Sequence, residues 1–252
     1  MENETYMKRL KDRLQIEFKK QDRSGVYGYT QRSMAYNSNR IEGSTLTEKQ
    51  TASMFETGTL YVDDPDMIFR TKDIEEMNGH FKMFNYVMKC MEKPLSEDII
   101  KNMHKNLRKV FLKIEQMDMQ LVGGKKRANR VSDIQTALPQ EVPEKIHQLL
   151  EKYHNAEKIT LYDIAKFHAQ FENIYPFQDG NGRVGRMIIL KQCLDHNIVP
   201  VIIRDIHKAE YNRYLNKAQH EQDYKGLEAY FEKEQKYYQE SIIPMIFDFD
   251  EL

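Results

Sequence analysis

Residues Thr160–Leu194 read TLYDIAKFHAQFENIYPFQDGNGRVGRMIILKQCL, and this stretch decides the fold. Thr160-Leu161-Tyr162-Asp163 has the capping-box form, a hydroxyl followed three residues later by a carboxylate, which opens a helix. Leu161, Ile164, Phe167, His168, Phe171 and Ile174 then recur at helical spacing. Pro176 disfavours the helical conformation in the residue before it, so the helix ends there and Tyr175 stands at the mouth of a glycine turn. Beyond the turn, Val184, Met187, Ile188, Leu190 and Leu194 resume the helical period. Two helices with apolar stripes, joined by so short a turn, form the buried centre of a helical domain.

The turn itself carries the chemistry. Gly180 and Gly182 can adopt backbone angles closed to other residues, which lets consecutive N–H groups point at an anion. The following helix adds its partial positive charge and unpaired N–H groups at the same point. Asp179 is a hard oxygen ligand suited to Mg²⁺, and Arg183 and Arg186 are planar cations that grip phosphate oxygens. The alternative is a plain Asx-Gly turn with solvated arginines. Two cations in the first turns of an apolar helix oppose its dipole and call for a compensating anion, which favours the anion site.

Outward from this centre the pattern is helical nearly throughout, with only 11 glycines and 7 prolines to interrupt it. Residues 5–22 carry Tyr6, Leu10, Leu14 and Phe18 at four-residue spacing, and residues 29–43 form a short helix that Gly43 ends. Thr47-Glu48-Lys49-Gln50 is a second capping box. After the turn Asp63-Asp64-Pro65-Asp66, helical spacing runs over 70–91, again from Ser96 through Val110, and again from Pro143 to Tyr153. From Val122 to Val142 there is no helical period, so an extended loop or hairpin is expected there. The fold class is all-α, a single helical domain. Residues 1–60 form its N-terminal helical region and residues 61–252 its core.

Composition bounds the partners. In 252 residues, 38 Lys and Arg stand against 39 Asp and Glu, so no global basic field recruits nucleic acid or an anionic membrane. Cys90 and Cys193 lie in apolar helical settings and read as buried, reduced thiols. No apolar run approaches the ~20 residues that span a bilayer. The charged N-terminus lacks the apolar segment of a secretion signal, so a cytoplasmic location is expected. His168 reads as a core histidine, and no histidine spacing suggests a metal site. Lys125, Lys126, Arg127 and Arg130 form a basic patch that reads as a solvated loop or as phosphate contacts.

Tyr175–Arg186 resembles the central motif of the Fic family, His-Pro-Phe-x-Asp/Glu-Gly-Asn-Gly-Arg-x-x-Arg, at every fixed position but the first, where Tyr175 replaces the histidine. Ser38–Gly43 resembles the family's inhibitory motif, Ser/Thr-x-x-x-Glu-Gly/Asn, on an N-terminal helix. Arg127 to Val142 resembles its flap, a small β-hairpin that aligns a target segment. The similarity covers roughly residues 36–240.

The resemblance implies a protein adenylyltransferase that moves AMP from ATP to a Ser, Thr or Tyr hydroxyl of a protein, or of the chain itself, and it is compatible with a homo-oligomer. In that reading Asp179 holds Mg²⁺, Gly180, Asn181 and Gly182 line the anion cradle, and Arg183 and Arg186 bind the β- and γ-phosphates. Phe177 anchors the loop. Ser132, Asp133 and Ile134 lie near the nucleotide, with Arg127 and Asn129 before the flap. Tyr211 and Asn212 flank the adenosine, and Gln219 contacts adenine. Glu42, in the motif with Ser38, pairs with Arg186 and obstructs the γ-phosphate.

The family's histidine is the base for the attacking hydroxyl. A phenol titrates near ~10 against ~6.5 for imidazole, so Tyr175 is a poor substitute. Loss of a general base costs on the order of 10²–10⁴ in rate. Two other functions remain open: a catalytically inactive, nucleotide-gated binding protein, and a transferase that uses another nucleotide donor.

Overall fold

Thr160 caps its helix as the local sequence dictates: its side chain accepts from the Asp163 N–H while the Asp163 carboxylate accepts from the Thr160 N–H. Thr47 and Gln50 form the same reciprocal box at the start of another helix. The computed structural model describes residues 3–108, 125, 130–131 and 134–247. In chain order its helices are α1 (Asn3–Lys20), α2 (Val26–Ile41), α3 (Glu48–Thr57), α4 (Thr71–Lys89), α5 (Glu97–Arg108), α6 (Val142–His154), α7 (Leu161–Ile174), α8 (Asn181–Asp195), α9 (Lys208–Glu221) and α10 (Lys225–Ile246). The one sheet among the described residues is a hairpin of β1 (Arg130–Val131) and β2 (Ile134–Gln135). It is antiparallel, with Arg130 opposite Gln135 and Val131 opposite Ile134. The all-α expectation with a small hairpin therefore holds.

α8 is the axis of the molecule. Every residue from Arg183 to Leu194 is buried, and a helix covered on all sides has to lie at the centre of its domain. α7 lies alongside it and contributes Ile164, Ala165, Phe167 and Phe171; α2, α4 and α5 close the other sides. Each fully buried Leu, Ile or Phe on these faces contributes roughly 1.5–3 kcal/mol from apolar area removed from water. α1 seals the outside through Tyr6, Met7, Leu10 and Leu14, with Phe18 partly buried against them.

α2 starts earlier than the expected residue 29. The Glu17 carboxylate accepts from the Tyr27 N–H and supplies a partner for the open first turn. The helix ends as expected, with Gly43 at φ 93, the left-handed conformation that glycine takes at low cost. Cys90 and Cys193 are buried free thiols, and burial pushes the Cys193 thiol up to about 12.

Lys125 corrects the expectation of a solvated or phosphate-bound basic loop. It is buried, and its Nζ donates to Thr136 Oγ1 and to the Ala137 carbonyl at 2.6 Å. Its backbone N–H donates to the Pro176 carbonyl at 2.9 Å, so the hairpin's approach is tied to the glycine turn. Lys126, Arg127, Asn129, Ser132 and Asp133 lie outside the described residues. Ile134 is placed in β2. No helix among the described residues is long and apolar enough to cross a membrane.

Candidate anion-binding site at the start of α8

The turn between α7 and α8 is braced from several sides. Phe177 is buried, its ring stacked on His104 at 3.9 Å between centroids and 2° between planes. His104 Nε2 hydrogen-bonds the Asp179 carbonyl at 3.0 Å. Asn181 accepts from the Phe177 N–H at 2.9 Å and donates to the Phe177 carbonyl at 2.8 Å, so its amide braces the loop rather than lying free in the cradle. Gly180 sits at φ 84, where a side chain would be strained and would also press on Leu107.

The helix ends before Pro176 as expected, with Tyr175 left-handed at φ 53 and ψ 63 and its N–H donating to the Phe171 carbonyl at 2.9 Å to close α7. One local expectation is corrected here. Gly182 is an ordinary helical residue. Its missing side chain matters for space, because a Cβ there would fall on Glu42 Oε1 and 3.0 Å from Arg186 Nη1.

The two arginines occupy different settings. Arg186 donates from Nε to Ser38 Oγ at 2.9 Å, and from Nη2 to the Ser38 carbonyl at 3.1 Å and to Glu42 Oε1 at 2.6 Å. Arg183 pairs through Nη1 with Glu76 Oε1 at 2.7 Å and through Nη2 with Asp179 Oδ1 at 3.4 Å. Asp179 Oδ2 accepts from Arg108 at 3.1 Å. Arg183 is therefore engaged by a carboxylate that sequence reasoning missed. The signal was present in α4, where Asp73, Glu76 and His80 share the buried face with Met77 and Phe84. Polar groups on a buried face need partners from elsewhere in the chain.

Behind the arginines lies a buried polar layer. His168 Nε2 hydrogen-bonds the Tyr211 hydroxyl at 2.7 Å, and that phenol in turn lies against the Arg186 guanidinium. His168 is a core residue as expected, although its Nδ1 finds no partner among the described residues. Glu172 Oε1 is also buried without one, and a Cβ on Gly185 would collide with it.

Burial sets the charge states. It pushes Glu172 up to about 8 against the pull of Arg186, and it pushes His104 down to about 4 and His80 and His168 down to about 3. Burial also raises Glu42, but the charge and hydrogen bond of Arg186 outweigh it and hold that carboxyl below its usual range. The Tyr175 phenol is raised by burial and then by the neighbouring Glu172 carboxyl.

The structure thus brings Ser38, Glu42, Tyr175, Asp179, Gly180, Asn181, Gly182, Arg183, Arg186 and Tyr211 to one end of α8. Asn212 is exposed and Gln219 half-buried, both on α9. Chemically, this end offers a buried guanidinium at a helix N-terminus, a half-exposed carboxylate and a phenol, an arrangement fitted to a polyphosphate.

Residues 94–193 match the model of the Fic/DOC family. Among curated proteins, the chain is 30% identical over 192 residues to protein adenylyltransferase Fic of Drosophila erecta, covering 73% of this chain and 36% of that protein. It is 26% identical over 190 residues to protein adenylyltransferase Fic of Nematostella vectensis, covering 73% and 42%. The chain therefore spans well under half the length of these relatives. Among solved structures, a Fic domain containing signaling protein from Bacteroides thetaiotaomicron superposes with a TM-score of 0.76 at 21% identity, covering 97% of both chains. Fic-1 from C. elegans superposes with a TM-score of 0.67 at 21% identity, covering 96% of this chain and 72% of the other. At such identities the superpositions show the fold, and the sequence matches supply the rest: the chain carries a domain of the Fic/DOC family.

Proposed function

We propose that this chain binds ATP at the start of α8 and is a Fic-type protein adenylyltransferase, restrained by Glu42 and slowed by Tyr175 at the base position. One observation carries the reading: Arg186, buried at a helix N-terminus, has its guanidinium covered by Ser38 and by Glu42, a residue at the end of another helix. A carboxylate that covers an arginine in a helix-terminal anion site stands where an anionic oxygen of a ligand would bind. The named activity of the curated relatives, protein adenylyltransferase, supports the choice of ATP as donor and a protein as acceptor.

Arg186 holds the terminal phosphate once Glu42 swings away, while Arg183, engaged by Glu76, acts mainly as the fixed cation that orients Asp179. Asp179 fits Mg²⁺: the ion commonly binds through one or two carboxylates together with substrate phosphates, and the Asp179 side chain is 49% exposed at the cradle. Bound there, the ion would neutralise phosphate charge. No group of three His, Cys, Asp or Glu side chains among the described residues forms a metal cage.

The hairpin, tied to the turn through Lys125, is the proposed docking edge for the target protein. The location we assign is cytoplasmic. A catalytically silent, nucleotide-gated binding protein is the second reading, favoured by Tyr175 alone, since a phenol with a raised pKa cannot accept a proton at neutral pH. Incorporation of labelled AMP from α-labelled ATP into protein hydroxyls decides between them. Glu42→Gly with Tyr175 in place transfers AMP, though slowly, if the first reading holds, and ATP binding without transfer in both the parent and that form establishes the second.

A further inference from the structure

A cleft opens on the face of α2 that turns away from Glu42. Ser38 and Glu42 reach from that helix to Arg186, whereas Tyr29, Ser33 and Tyr36, at helical spacing on the opposite face, line a cavity of about 470 Å³. The 3-10 turn Asp205–His207, just before α9, forms its rim. The turn is fixed to α2 by the Asp205 N–H, which donates to Asn37 Oδ1 at 2.9 Å, and by the Arg40–Asp205 ion pair at 3.4 Å. α3 closes the cleft with Glu48, and α10 with Tyr237. Its volume falls in the range of small-molecule sites, roughly 300–1,000 Å³.

The lining carries both signs of charge. Arg32 is paired with Glu56, and Arg204 donates from Nε to Glu234 Oε2 at 2.7 Å, but each pair uses only part of the five N–H donors of a guanidinium. Arg204 also lies over the Tyr237 ring, 3.6 Å from its centroid, so its orientation is set before any ligand arrives. Glu48, in the first turn of α3, forms no ion pair among the described residues. Burial raises the phenols of Tyr29 and Tyr36, the Glu48 carboxylate adds to both, and Arg204 opposes it at Tyr29, so that phenol stands between a carboxylate and a guanidinium. Between the charges lies apolar surface, with Ile206 and Tyr237 exposed at the mouth.

We propose that this cleft binds a small zwitterion with an aromatic body, a free aromatic amino acid or a short peptide that ends in one. The ligand carboxylate is received by Arg204 and Arg32, its ammonium by Glu48 beside the rings of Tyr29 and Tyr36, and its side chain lies against Tyr237 and Ile206. A simple anion would meet the uncompensated Glu48, and a simple cation would meet two guanidiniums. Only a ligand with both charges offers each group its opposite. Nothing in this depends on ATP binding at the start of α8.

The test titrates the full chain, in a calorimeter, with L-phenylalanine and with L-alanyl-L-phenylalanine. Each is compared with its N-acetyl form, which lacks the ammonium, and its amide, which lacks the carboxylate. Saturable one-to-one binding of either zwitterion in the millimolar range or tighter is expected, and the tighter of the two names the source. Removing either charge from the ligand should weaken binding about tenfold. Glu48→Gln should weaken the zwitterion by about the same factor and leave its N-acetyl form unchanged, and Arg32→Gln should weaken the zwitterion and leave its amide unchanged, since a contact already lost cannot be lost twice. Absence of saturable binding by both zwitterions overturns the inference. So does an N-acetyl form that binds as tightly as its parent, which would make the ligand an anion, or an amide that does so, which would make it a cation. Affinity unaltered in both Glu48→Gln and Arg32→Gln would place the ligand elsewhere and overturns it as well.

Discussion

Arg183 and Arg186 stand one helical turn apart on α8, and each is paired with a glutamate from another helix, yet the two pairs are built differently. Glu76 lies within α4, and its side chain and that of Arg183 are 5% and 3% exposed. Glu42 is the cap residue just past the end of α2, its side chain 34% exposed, and it is followed by Gly43 at φ 93 with open space around its Cα. Opening the first pair would strand two buried charges. Opening the second strands only Arg186, because Glu42 can turn into water, and an arriving anion would cover the arginine. The same pair of side chains is thus scaffold in one place and gate in the other, and the difference lies in where the carboxylate sits on its helix.

The largest expected effect tests the scaffold half of that contrast. Glu76→Ala leaves Arg183 buried with a weak partner and should lower unfolding free energy by about 3 kcal/mol or more, since removing one partner of a buried pair is far costlier than losing an exposed one. Glu42→Ala should cost clearly less in the same urea titration, because Arg186 keeps its two hydrogen bonds to Ser38. Equal losses would erase the distinction.

Next in size is the base position. Tyr175→His in the Glu42→Gly background should raise AMP transfer to protein hydroxyls by about 10² or more, measured with α-labelled ATP. An unchanged rate, with the gate already removed, would mean that the phenol does not limit turnover.

Asp179→Ala comes third. It should remove most of the Mg²⁺-dependent gain in ATP affinity, on the order of tenfold, and leave metal-free binding nearly intact. Calorimetry with and without the ion reads this directly, and an undiminished metal dependence would move the ion elsewhere.

A smaller effect is the pH dependence of stability. His80, beside both arginines, together with His104 and His168, has a folded pKa below the unfolded value near 6.5, at about 3, 4 and 3 respectively. Below pH 6.5 the unfolded chain binds more protons than the folded one at these sites, so stability falls on acidification. Glu172 has the opposite sign: at about 8 it keeps a proton that the unfolded chain has lost, so its contribution declines as pH rises from the normal carboxyl range to about 8. These four groups together place the thermal midpoint's maximum near neutrality. Glu172→Gln should flatten the decline between pH 7 and 8, and an unaltered decline would mean that Glu172 is ionised in the fold.

What the sequence disclosed follows the range of each interaction. Thr47 and Thr160 were legible because a capping box is written in four consecutive residues, and Gly43 because a left-handed residue at a helix end favours glycine. The period of α7 and α8 showed the buried centre for the same local reason. The pairing of Glu42 with Arg186 came through motif resemblance, since no spacing rule links residues so distant. Glu76 had no such motif, and only its place on the buried face of α4 hinted at a distant partner. Lys125 looked solvated because its neighbours are basic, whereas its partners, Thr136 and Ala137, meet it only after the chain folds back over the turn. Gly182 was misjudged in conformation because the space taken by Glu42, which leaves no room for a side chain there, is a tertiary fact.

The gate is tested most directly by titrating ATP with Mg²⁺ into the parent and into Glu42→Gly in a calorimeter at neutral pH. Freed from its carboxylate, Arg186 should grip the nucleotide at least about tenfold more tightly, as expected for a charge-assisted contact worth 1.5 kcal/mol or more. Identical affinities in the two proteins would contradict the account, because Glu42 would then be an ornament of the fold and Arg186 no part of the nucleotide site.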